Sequence, residues 1–128
     1  MIEVPLNSPD SIVTIGELVR IVGDRALCSA GTVLSPAAVE EVADVGGRLI
    51  VTSNTDPAVI ARAVALNLEP VPGFVTPPEA FAALDVGARR LKLFPAGRFG
   101  PAYLQALSEV PPRSAGLWAA PMPRPCAT

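Results

Sequence analysis

Leu91-Lys92-Leu93-Phe94-Pro95-Ala96 sets one charge inside a run that is otherwise apolar. Strands of a helix-covered parallel sheet normally read as continuous hydrophobic runs, so a lysine between two leucines needs a face of its own. A side-chain period of two provides it: Leu91 and Leu93 point to the helices, while Lys92 and Phe94 point the other way. Ile2-Glu3-Val4 repeats the arrangement with a carboxylate. In a closed parallel barrel, the inward face at the C-terminal end of a strand is where reactive side chains gather.

Around this stretch the chain repeats one unit. Ser8-Pro9, Ser35-Pro36, Asp56-Pro57, Thr76-Pro77 and Gly100-Pro101 each resemble a helix N-cap followed by proline in the first turn, where its missing N–H costs nothing. Short apolar runs precede them at Ile2-Glu3-Val4, Ala26-Leu27-Cys28, Leu49-Ile50-Val51, Pro70-Val71-Pro72 and Leu91-Lys92-Leu93-Phe94. The spacing of roughly 20–27 residues suits one strand, one helix and two short loops. Thr76-Pro77-Pro78-Glu79 predicts a capping box and a helix over Pro77–Val86, ended at Gly87. Pro70–Pro72 is the weakest strand, because proline cannot donate to a ladder. Alternating strands and helices predict an α/β fold with a parallel sheet. Periodicity alone does not separate a barrel from an open doubly wound sheet, since both use right-handed βαβ units.

Composition narrows the function. Half of the 128 residues are hydrophobic and 17% are charged, as in a globular chain with a sizeable core. A net charge of −2, with the basic residues scattered, excludes a phosphate-backbone footprint, so nucleic acid is not an expected partner. No run approaches the ~18 apolar residues of a membrane span and no signal segment opens the chain, which predicts a cytoplasmic protein without membrane contact. Cys28 and Cys126 have no spacing partners and are expected to be free thiols. Histidine is absent, which removes Ser-His-Asp and Cys-His nucleophiles and the usual nitrogen ligands of catalytic metals. Acid–base chemistry then falls to Glu, Asp, Lys, Tyr or water.

Three residues carry candidate chemistry, each with a plainer alternative. Lys92, if partly desolvated, would hold free amine able to attack a ketone; the alternative is an edge-strand lysine with its ammonium in water. Glu3 could move protons, or simply be solvated near the N-terminus. Thr32 in Ala30-Gly31-Thr32-Val33-Leu34 could be an ordinary turn threonine.

The runs Ile2–Pro9, Ala30–Leu34, Leu49–Thr52, Pro72–Pro77 and Leu91–Ala96, in that order, resemble the 2-dehydro-3-deoxy-phosphogluconate and -phosphogalactonate aldolase family over residues 2 to 112. The resemblance implies an incomplete TIM-type (β/α) barrel covering about strands two to six with their helices, since a complete barrel takes about 250 residues. It implies that Lys92 forms a Schiff base, that Glu3 is the acid/base carboxylate working partly through water, that Thr32 contacts the bound keto acid and that Phe94 walls the pocket. The substrate would be a phosphorylated keto sugar acid, cleaved to pyruvate and glyceraldehyde 3-phosphate. The imine nitrogen serves as electron sink, so neither metal nor cofactor is expected. Asn54 and the Glu3–Pro9 run resemble the phosphogalactonate branch, and the family implies a homotrimer. Ser29 stands where the family usually has Gly, and Ser53 where it usually has Pro.

Residues 1–112 are therefore expected to form a partial barrel domain. Residues 113–128 are expected to be an irregular tail; its composition suggests a shifted reading frame. The family's first-strand arginine and its phosphate loops have no counterpart here, and an opened barrel should expose its strand edges and apolar inner face. Alternatives to the aldolase are an inactive remnant or oligomerisation fragment, or a phosphogluconate-specific enzyme.

Overall fold

In the computed structural model, which describes residues 1–119, strands and helices alternate along the chain. The strands are β1 (Ile2–Pro5), β2 (Cys28–Gly31), β3 (Leu49–Val51), β4 (Glu69–Val71), β5 (Gly73–Phe74), β6 (Arg90–Leu93) and β7 (Gly116–Ala119). Between them lie α1 (Ser11–Val22), α2 (Pro36–Asp44), α3 (Pro57–Ala65), α4 (Pro77–Asp85) and α5 (Gly100–Ser108). Every pairing is parallel, in two ladders ordered β1-β2-β3-β4 and β5-β6-β7. The α/β architecture is thus a parallel sheet with helical crossovers, and among the described residues it does not close into a barrel.

Two of the five expected caps form as written. The Ser35 hydroxyl oxygen accepts the Ala38 N–H at 3.1 Å, and Asp56 Oδ1 accepts the Ala58 N–H at 2.9 Å. Ser8 does not cap: its hydroxyl donates to the Pro5 carbonyl at 2.6 Å, closing the turn after β1, and α1 begins only after Asp10. Thr76 precedes α4 and donates its hydroxyl to Glu79 Oε1 at 2.7 Å, and its oxygen caps no N–H. Glu79 reaches back one residue further than a capping box requires, accepting the Val75 N–H at 3.4 Å. Gly100 lies inside the first turn of α5, behind Phe99.

Alternation along the strands sorts the apolar residues into layers. Cys28, Ala30 and Ile50 face Ile15, Val39, Val42 and Val59 of the first three helices in one cluster. Phe74, Leu91 and Leu93 face Ala80, Ala83 and Leu107 of α4 and α5 in a second. The opposite parity supplies a third cluster, Leu49, Val51 and Val71, on the inner face. The inner face was expected to be exposed, yet these side chains are 2%, 4% and 0% exposed. Short strands with inward side chains of matched register, Leu49 beside Glu69 and Val51 beside Val71, cover one another.

The proline-flanked strand breaks where proline chemistry says it should. β4 ends at Val71, Pro72 contributes only a carbonyl, which accepts the Lys92 N–H at 2.8 Å, and β5 resumes at Gly73. At that joint a β-carbon on Gly73 would lie 2.5–2.9 Å from the Ser53 backbone, so the two segments meet only because position 73 has no side chain. Three hydrogen bonds tie the joint: the Gly73 N–H to Thr52 Oγ1 at 3.3 Å, the Thr55 hydroxyl to the Gly73 carbonyl at 2.8 Å, and the Thr52 hydroxyl to the Asn54 carbonyl at 2.6 Å.

The expectation of an irregular tail is corrected in part. Residues 116–119 form β7, in register with Arg90 to Leu93. Four residues are too few to show a period, but the outer backbone of β6 offers a full row of partners, and Leu117 packs onto the second cluster. Residues 120–128, with Cys126, lie outside the described residues. Cys28 is a buried free thiol.

Candidate active site

The inward parity of the sheet carries the polar groups. Glu3 of β1 stands in register with Ser29 of β2, and Gly31 follows two residues on, on the same face. Lys92 of β6 stands in register with Gly73 of β5. Lys92 is half-buried, and its strand reads exposed, buried, half-buried, buried from Arg90 to Leu93, as one lysine facing away from the helices requires. Glu3 is exposed, between half-buried Ile2 and Val4.

Burial pulls the Lys92 amine below its ordinary value of 10.5, while the Glu3 carboxylate pulls it back up. Desolvation is the larger effect, so the free amine is favoured relative to a lysine in water. The Glu3 carboxylate acts on the Lys92 amine although one lies on the first strand and the other on the sixth. Phe94, of the same parity, sits with its ring centroid 4.9 Å from Lys92 Nζ and favours the ammonium form. The structure therefore brings Lys92, Glu3 and Phe94 to one face.

Thr32 directly follows β2 with φ of 55°, in the left-handed region where a β-branched residue is a marked outlier. The chain turns there, at the C-terminal end of the strand and half-buried. Such strain persists only where the surroundings impose it. Ser29 is fully buried, and its hydroxyl donates to the Ile2 carbonyl at 3.0 Å, fastening β1 to β2.

Sequence reasoning missed Gly31 as more than a turn residue. A β-carbon there would fall on the Glu3 carboxylate oxygen and lie 3.0 Å from Glu3 Cδ. Its only written signal is a glycine two positions after the residue that pairs with the carboxylate. Also missed was the Thr52–Thr55–Gly73 joint beside Lys92. Two cavities, of about 600 and about 410 Å3, lie elsewhere, at the N-terminal ends of the strands near Arg48 and Leu68. Among the described residues no three His, Cys, Asp or Glu side chains gather as a metal site, and no helix is long and apolar enough to cross a membrane.

A parallel strand-and-helix sheet of barrel type, with a desolvated lysine and a carboxylate converging on its inner face, defines a lysine-centred (β/α) protein. The chain belongs to the KDPG and KHG aldolase family, whose model matches residues 1–112. It is 46% identical over 118 residues to 2-dehydro-3-deoxy-6-phosphogalactonate aldolase of Escherichia coli strain K12, covering 92% of this chain and 58% of that one. A native KDPGal structure superposes with a TM-score of 0.89 at 46% identity, over 91% of this chain and 57% of the other. KDPG aldolase from Legionella pneumophila, solved with pyruvate captured as a covalent carbinolamine, superposes with a TM-score of 0.81 at 26% identity, over 90% and 55%. The chain thus spans a little over half the length of these relatives.

Proposed function

We propose that this chain carries the lysine-centred half of a class I aldolase acting on 2-dehydro-3-deoxy-6-phosphogalactonate. The observation that carries the reading is Lys92: half-buried, drawn below the ordinary lysine range by desolvation, and within the field of Glu3. The free amine attacks the C2 ketone to give a carbinolamine, which loses water to form the imine. Glu3, partly through water, accepts the proton of the C4 hydroxyl as the C3–C4 bond breaks. The bonding pair moves into an enamine on the lysine nitrogen and glyceraldehyde 3-phosphate leaves. Protonation at C3 and hydrolysis then return pyruvate and free Lys92. Thr32 contacts the keto acid and Phe94 walls the pocket.

The 46% identity to a phosphogalactonate enzyme supports that substrate, and rates on the phosphogalactonate and phosphogluconate keto acids measure the preference. A cytoplasmic place in galactonate breakdown and a homotrimer belong to the same reading. Incubation with pyruvate, borohydride reduction and peptide mapping provide the test. Stable carboxyethylation of Lys92 is expected, and a folded sample with no adduct there overturns the assignment.

A further inference from the structure

We propose that Gly31 is a positioning residue whose missing side chain is the seat of the Glu3 carboxylate, holding it over β2 on the face it shares with Lys92. The proposal deepens the reading of Glu3 as the acid/base group and rests on it for the catalytic consequence only.

Three observations carry it. The three atoms nearest to a β-carbon built on Gly31 all belong to Glu3: its carboxylate oxygen, Cδ and Cγ. Gly31 is not held in the left-handed region, so its backbone accepts alanine, and no backbone atom blocks the methyl group. The glycine thus serves neither a turn nor a close backbone approach. The neighbouring hydroxyl is also already engaged: Ser29 donates to the Ile2 carbonyl and leaves the carboxylate to be located by shape. Glu3 sits on an edge strand with solvent around it, and its three side-chain torsions would otherwise spread the carboxylate over several rotamers. A depression beside it selects the rotamer that leans along β2.

Displacing the carboxylate by a methyl group should cost position rather than fold. Misplacement of a reacting group by about 1 Å lowers turnover by about a hundredfold. Gly31→Ala is therefore expected to lower kcat about 10- to 100-fold, while Lys92 is still trapped by pyruvate and borohydride.

A readout independent of turnover comes from Lys92 itself, since Glu3 is the charged group acting on it. Competitive acetylation of Lys92 across pH, followed by mass spectrometry, gives the titration midpoint of its amine. Gly31→Ala should lower that midpoint in the same direction as Glu3→Gln, and the double variant should match Glu3→Gln alone. An unchanged midpoint in Gly31→Ala, or a further fall in the double variant, overturns the proposal. So does failure of Gly31→Ala to fold that Glu3→Asp, which shortens the colliding side chain, does not repair. Loss of pyruvate trapping in the unaltered protein would instead remove the aldolase reading, and the acetylation midpoints would still decide where Gly31 holds Glu3.

Discussion

On the proposed reading, Lys92 places function and stability in opposition. A lysine whose amine is easier to deprotonate in the folded chain than in the unfolded one binds its proton less tightly when folded. Between the lowered value and 10.5 the unfolded chain holds more protons, so stability rises with pH across that window and the benefit is lost as pH falls through it. Replacing the lysine by methionine removes the titrating group. Lys92→Met is expected to raise the urea midpoint at neutral pH, to flatten the rise toward pH 10 and to abolish pyruvate trapping; a midpoint that falls at neutral pH contradicts this account. Thr32 makes the same point through the backbone. Left-handed geometry costs an ordinary residue about 1–2 kcal/mol, part of which glycine recovers after its own entropy loss. Thr32→Gly should stabilise by up to about 1 kcal/mol in denaturant unfolding while raising KM for the keto acid. The faces of Lys92 and Glu3 were legible from a period of two. Gly31 was not, because an empty place beside a carboxylate leaves no pattern in one dimension.

Elements were legible where local chemistry had one outlet. Ser35 and Asp56 each precede proline and find an N–H two or three residues on, so both helix starts could be read directly. Ser35→Ala and Asp56→Ala are each expected to cost about 1 kcal/mol, measured by thermal or urea unfolding. Thr76→Ala should cost less, because its hydroxyl serves only the Glu79 carboxylate at an exposed position. Thr76 and Ser8 misled because each hydroxyl is oriented by a local acceptor and its oxygen bonds no helix N–H. β7 escaped notice for another reason: Gly116-Leu117-Trp118-Ala119 has neither alternation nor length, and its pairing depends on an edge that only the folded sheet supplies. The break at Pro72 was half visible, since proline announced a weak strand but not that the ladder would restart one residue later.

At the scale of the molecule, the parallel α/β class followed from the repeat, while the shielding of Leu49, Val51 and Val71 could not be read from strands taken singly. The sheet holds its two ladders together through the Thr52–Thr55–Gly73 joint. Gly73→Ala forces a methyl group into the Ser53 backbone and is expected to destabilise by about 1–3 kcal/mol, with loss of Lys92 trapping under conditions where the protein remains folded. Full trapping in a folded Gly73→Ala variant would mean that the joint does not set the position of Lys92.

That joint has a mechanical meaning. Glu3 belongs to one ladder and Lys92 to the other, so no single run of paired backbone connects the carboxylate to the amine. Their alignment works like the jaws of pliers, whose gap is governed at the pivot, and the pivot is a proline, a glycine and two threonine hydroxyls.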